Sequence, residues 1–174
     1  MRVRNMALCA LFAALMALCA WLAVPVGGTV FTMQTFGIFL ALGLLGGKWG
    51  TVSVLVYLLL GAVGLPVFTG FQGGFGVLMG VTGGYLTGFL FSGLVYWLVT
   101  ALGGNKARPA AMILGLLTCY AFGSLWFRFG YLEGGSFLGI GAVLLKCVVP
   151  YLLPDAAKLV LVWYLTNRLQ RFII

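Results

Sequence analysis

Between Arg4 and Lys48, and again between Lys48 and Lys106, the chain carries no charged side chain. Apolar residues dominate both intervals, and glycine or proline cuts them into helix-sized lengths. A soluble globule covers itself with polar side chains, roughly 25% of them charged. Here charged residues make up 7% and hydrophobic residues 63% of 174 positions, so lipid must solvate most of the surface. A helix needs about 20 apolar residues to cross a bilayer, which leaves room for about six crossings with short loops. The expected fold class is all-α: a polytopic membrane protein, one compact bundle of six transmembrane helices forming a single domain over residues 1–174. The first apolar stretch, from Met6 to Val26 behind Arg2 and Arg4, reads as an uncleaved first helix rather than a signal peptide.

Breakers and turn residues place the helices. Helix 1 is expected over 5–24 and is broken by Pro25-Val26-Gly27-Gly28. A short helix 2 covers 34–46, and Gly46-Gly47-Lys48 turns tightly into helix 3 at 49–63. Gly64-Leu65-Pro66 ends that helix, and a glycine-rich stretch, Thr69–Gly76, follows. Helix 4 covers 77–102, Gly103-Gly104-Asn105-Lys106 is a loop, and helix 5 covers 109–127. Residues 128–135 make a polar turn holding Arg128 and Glu133. A short helix at 136–149 ends at Pro150, and Pro154 opens helix 6, which runs to Leu169. With the N-terminus cytoplasmic, Arg2, Arg4, Lys48, Lys106, Arg108, Arg168 and Arg171 lie inside. Arg128, Lys146 and Lys158 lie outside or near the outer face, the asymmetry that the positive-inside rule requires. Both termini are then cytoplasmic, in a multi-pass protein of the cytoplasmic membrane. The net charge of +8 is too dispersed to mark a nucleic-acid partner.

Several chemistries are excluded. Cys9, Cys19, Cys119 and Cys147 form no CxxC pair, and the chain has no histidine, so no metal site of the usual zinc or haem kinds is expected. No cofactor is implied. Gly47-Lys48 is followed by Trp49, with leucine at position 42, so the P-loop pattern fails. A Ser-His-Asp set cannot be built without histidine. The chain is not expected to be an enzyme, and any ATP hydrolysis belongs to another subunit.

Two acids remain, Glu133 in the predicted turn and Asp155 in the apolar run Leu152–Val160. A charge at the bilayer centre costs about 2.5–3.5 kcal/mol on insertion scales, and less near the interface. Asp155 and Lys158, three apart, share a helix face, and Pro154 suits the first helical position. Either the pair caps a helix start against headgroups, or the carboxylate accepts ligand N–H groups while the ammonium attracts a ligand acid. The Gly70–Gly76 loop allows a ligand close to its backbone. Phe71, Phe75 and Tyr85 offer apolar walls and Gln72 a neutral donor and acceptor, although the same residues would also suit turns and an interfacial aromatic belt. Gly80, Gly84 and Gly88 recur every four positions and allow close helix packing, as do Ala10 with Ala14 and Ala13 with Ala17 on helix 1. The alanines serve equally for packing inside the bundle or against another protein.

Four segments, in order along the chain, carry a family resemblance. Thr32-Met33-Gln34-Thr35 resembles a T-L-Q-T stretch, and Gly64-Leu65-Pro66-Val67-Phe68-Thr69-Gly70 resembles GLPVF-x-G. Gly80–Phe89 resembles GPTGGY-x-x-GF, and Pro150–Lys158 resembles P-[FY]-x-P-G-D-x-x-K. Together they resemble the BioY family of biotin-specific substrate-binding components of energy-coupling factor transporters. Val81 stands where that family usually has proline, and Pro154 precedes Asp155 where it usually has glycine. The resemblance implies high-affinity capture and uptake of biotin, with a transmembrane coupling subunit and two cytoplasmic ATPases as partners. It makes Asp155, Lys158, Gln72, Tyr85, Phe71 and Gln34 ligand-binding candidates. It also makes Ala10, Ala14, Ala13 and Ala17 a docking surface for the coupling subunit. The loop at about Gly27–Gln34 would close over the ligand. A component for a different small vitamin is the alternative. An intramembrane enzyme or a channel fits less well, because acid–base groups and a repeated polar lining are both missing.

Overall fold

The computed structural model describes residues 2–26, 29–131 and 140–173. Helix α1 (Arg2–Trp21) leads into a β-hairpin of β1 (Ala23–Val26) and β2 (Thr29–Thr32). There follow α2 (Gln34–Ala62), the short α3 (Phe75–Met79), α4 (Gly83–Gly103), a 3-10 turn (Gly104–Ala107), α5 (Arg108–Tyr131), α6 (Ile140–Cys147) and α7 (Val149–Ile173). Val3–Trp21, Gln34–Ala62 and Gly83–Phe129 are long and apolar enough to cross a membrane by length and composition.

Helix α2 folds back on itself. A Cβ on Gly50 would lie 2.6 Å from the Cα of Leu42, whereas eight residues of straight helix span ~12 Å. Gly46 makes the reversal at φ 79°, ψ 168°, a conformation open mainly to glycine. The two arms match the helices expected at 34–46 and 49–63.

Burial follows helical periodicity. On α1, Cys9, Phe12, Ala13, Met16, Ala17 and Ala20 face the core, while Met6, Leu11 and Leu18 point outward. The inward face packs on α2, whose buried side chains include Ile38, Phe39, Leu42, Val54 and Tyr57. Between α4 and α5 the fit is reciprocal. Gly84 makes room for the side chain of Trp126, and Gly123 for the ring of Tyr85. Gly88 lies against the backbone of Cys119, the close approach its spacing predicts. Gly80 precedes α4 instead of lying on it, and its carbonyl accepts from Trp126 Nε1 at 3.2 Å.

Contacts fix which ends lie together. Cys9 Sγ reaches Trp49 O at 3.3 Å, Gln170 Nε2 reaches Gly43 O at 3.3 Å, and Arg108 bonds Gln170 and Asn105. Lys48 and Lys106 lie on the turns of this same end, so the bundle has a basic end. The hairpin, residues 63–82 and the start of α7 make the other end.

The structure corrects several expected boundaries. Residues 23–26 and 29–32 pair as antiparallel strands, with Val24 opposite Phe31 and Pro25 opposite Val30, where the sequence predicts the end of helix 1 and a loop. Expected helix 4 is two pieces, α3 and α4, separated at Gly80–Thr82. Arg128 lies within α5 and not in a turn. Helix α7 begins at Val149, so Pro154 is internal and does not open it. Pro150, in the first turn, takes the position where a missing N–H has no partner to lose. Pro154 removes only the bond to the Pro150 carbonyl, and the helix continues. Glu133, Gly27, Gly28 and the first residues of the helix expected at 136–149 lie outside the described residues.

Candidate functional site

At the end away from the basic cluster the elements enclose a cavity of about 820 Å³, within the ~300–1,000 Å³ range of small-molecule pockets. Its floor and walls include Phe68, Leu86, Phe89 and Leu116, all buried. The hairpin covers one side through Pro25, Val30 and Thr32, and the glycine-rich loop closes another through Thr69, Gly70 and Gln72.

Asp155 is the buried charge on this wall, 3% exposed. Six residues into α7, it lies deeper than a helix-start carboxylate would. Tyr120 OH donates to its Oδ2 at 2.6 Å and Lys158 Nζ to its Oδ1 at 2.7 Å. Each carboxylate oxygen accepts more than one hydrogen bond, so acceptor capacity remains for ligand N–H groups. Lys158 also donates to the Thr32 carbonyl at 2.7 Å, and it is not among the residues lining the cavity.

Gln34 sits on the wall as a crossing point of the protein's own bonds. Its Nε2 donates to Tyr57 OH at 2.8 Å. Its Oε1 accepts from Thr32 at 3.3 Å and from Thr69 at 3.2 Å. Tyr57 OH in turn donates to Val67 O at 3.2 Å. One amide thus ties hairpin, loop and α2 together.

Tyr85 lines the cavity, its ring seated over Gly123. Its hydroxyl is buried without a hydrogen bond of normal geometry, a group that a ligand could satisfy. Gln72 is on the wall and exposed. Phe71 is not among the residues lining the cavity. Gly70 and Phe71 both take left-handed φ, 71° and 57°, which turns the Phe71 ring outward, 65% exposed, to stack on Trp21 at 4.8 Å. Trp21 Nε1 is held by Pro66 O at 2.9 Å. Phe75 also points away, and Phe68 and Phe89 supply the apolar walls.

The helix 1 alanines divide. Ala10 and Ala14 are exposed, but Ala13 and Ala17 are buried at 1% and 7%. The last two pack inside the bundle and offer almost no exposed surface. Tyr120, Thr32, Thr69 and Tyr151 were not candidates in the sequence. Tyr120 is one of three hydroxyl residues in helix 5, with Thr118 and Ser124, and nothing local in the sequence sets it apart.

Apolar membrane-length helices and an end cavity with a buried carboxylate define an integral membrane bundle with a small-molecule pocket. A model of the BioY family matches residues 1–174, and the chain belongs to that family. It is 35% identical to a probable biotin transporter BioY of Pyrococcus horikoshii, over 98% of each chain. It is 36% identical to the biotin transporter BioY of Thermotoga maritima, over 97% of each. Among solved structures it resembles the S-component for biotin from an ECF-type ABC transporter. The TM-score is 0.83 at 27% identity, covering 98% of this chain and 92% of that one.

Proposed function

We propose that the chain captures biotin and delivers it across the cytoplasmic membrane as the substrate-binding subunit of an energy-coupling factor transporter. The observation that carries this is Asp155, the buried carboxylate on a largely apolar wall, oriented by Tyr120 and Lys158. Fixed acceptors in a largely apolar pocket suit a ureido group, whose N–H donors would otherwise lose water without replacement. The bicyclic ring would lie among Phe68, Leu86, Phe89 and Tyr85, with the acid tail towards the mouth near Gln72 and Thr69.

In this reading α1, the two arms of α2, α4, α5 and α7 are six crossings. The basic end and both termini face the cytoplasm, and the pocket opens outside. A transmembrane coupling subunit would dock on the exposed Ala10 and Ala14 face, and two ATPase subunits would supply the energy. Equilibrium binding of biotin to the purified chain in detergent tests the reading, with other vitamins as competitors. Tight binding to wild type, lost in Asp155→Asn, is expected. No binding to wild type, or full displacement by an unrelated vitamin, removes it.

A further inference from the structure

A strand and a helix meet here at two points with the carboxylate between them. Tyr151, Asp155 and Lys158 lie on α7 at i, i+4 and i+7, one stripe of the helix. Tyr151 OH donates to Val30 O at 3.4 Å, and Lys158 Nζ donates to Thr32 O at 2.7 Å. Carbonyls two residues apart on a strand point the same way, so β2 offers Val30 and Thr32 to α7 together. Pro25, opposite Val30, has no N–H to compete for that carbonyl. Phe31 adds a ring contact with Tyr151 at 5.1 Å.

The opposite-charge pairing in Lys158–Asp155 suggests at first that Lys158 would meet a ligand's acid. Its hydrogen bonds say otherwise. Two of its three N–H groups are taken, one by Asp155 and one by Thr32, and neither Lys158 nor, among the described residues, any other lysine or arginine lines the cavity. We infer that Lys158 is a positioning residue that latches the hairpin across the pocket and aims Asp155, and that neutral donors at the mouth hold the ligand's acid. The latch ties ligand binding to hairpin closure, because the ammonium that fixes the Asp155 carboxylate is the one that holds β2. Thr32 relays the tie to the other wall, since its hydroxyl donates to Gln34. This inference rests on the biotin reading for its ligand but not for the latch itself.

The test compares biotin with biotin methyl ester on wild type, Lys158→Met and Lys158→Gln, together with hydrogen exchange of residues 23–32 in ligand-free protein. Losing hydrogen bonds from a charged donor weakens binding about ten- to a hundredfold. Lys158→Met should lose that factor equally for acid and ester, and its hairpin amides should exchange faster. Lys158→Gln keeps N–H donors for Thr32, so it should keep a slower-exchanging hairpin and recover part of the affinity for both ligands. Either variant losing affinity for the acid while binding the ester as wild type does would overturn the inference. So would unchanged hairpin exchange in Lys158→Met. If Lys158→Met does not fold, Lys158→Gln carries the acid–ester comparison. Should wild type bind neither ligand, the biotin reading fails, while the exchange result still decides the latch.

Discussion

A Cβ placed on Gly123 would stand 2.3 Å from Cδ1 of Tyr85, so the pocket's tyrosine wall exists because α5 has no side chain there. Trp126 fills the reciprocal seat on Gly84 in the same interface, and the cavity is the space left open to the ring. Overpacking a filled interface typically costs about 1–3 kcal/mol. Gly123→Ala is expected to push Tyr85 into the cavity and weaken biotin binding at least about tenfold, with a smaller loss in thermal stability. Isothermal titration beside a melting curve in detergent separates the two. Affinity equal to wild type would show that the ring can move aside.

Tyr120 should matter for affinity beyond its bulk. It donates to Asp155 at 2.6 Å from the facing helix, and a hydrogen bond to a charged group contributes about 1.5–3 kcal/mol. Tyr120→Phe keeps the ring and removes that bond, so biotin affinity should fall roughly tenfold or more. Asp155→Ala should do worse, because it leaves Lys158 without its counter-charge, a loss of about 3–5 kcal/mol for buried pairs. Since the side chain of Lys158 is 12% exposed, the lower figure applies. Equilibrium biotin binding by both variants checks the order in affinity, and chemical unfolding the order in stability.

What the sequence made legible follows from which signals are local. Long apolar runs set the helices, and a glycine-led turn at Gly46 set the reversal in α2, because hydropathy and φ > 0 are local properties. Asp155 stood out because a carboxylate in a greasy run is conspicuous without any fold. The hairpin was missed because its strands have only four residues each, and docking on Tyr151 and Lys158, more than a hundred residues away, holds it. Val24-Pro25-Val26 and Thr29-Val30-Phe31 around Gly-Gly were a usable hairpin signal. Pro154 misled because proline prefers a first turn, and Pro150 already filled that role. Phe71 was assigned by type, but its direction depends on backbone angles that a glycine-rich sequence leaves open.

Gln34 should be irreplaceable by glutamate despite equal size. Its Nε2 must donate to Tyr57 OH while its Oε1 accepts from Thr32 and Thr69. A carboxylate has no donor, and at 7% exposure its charge would be buried unpaired. Gln34→Glu is expected to lower the melting temperature and loosen residues 63–74, seen as faster hydrogen exchange there. Gln34→Leu, which buries no charge, should lose less. The reverse order would mean that a ligand, and not this knot, sets the requirement for the amide.

Burial on α1 separates two kinds of alanine, and a bulky probe should report each. Ala14 is exposed, so Ala14→Trp adds a side chain outside the bundle and should leave biotin binding by the isolated chain within about twofold. If the coupling subunit docks on this face, the same variant should fail to co-purify with it. Ala13, 1% exposed, packs inside, so Ala13→Trp should cost at least about 1–3 kcal/mol in stability whatever the partner does. Co-purification with the coupling subunit, beside the melting temperature of the chain alone, distinguishes the cases. An Ala14→Trp chain that binds biotin and assembles normally would move the docking face elsewhere on the bundle.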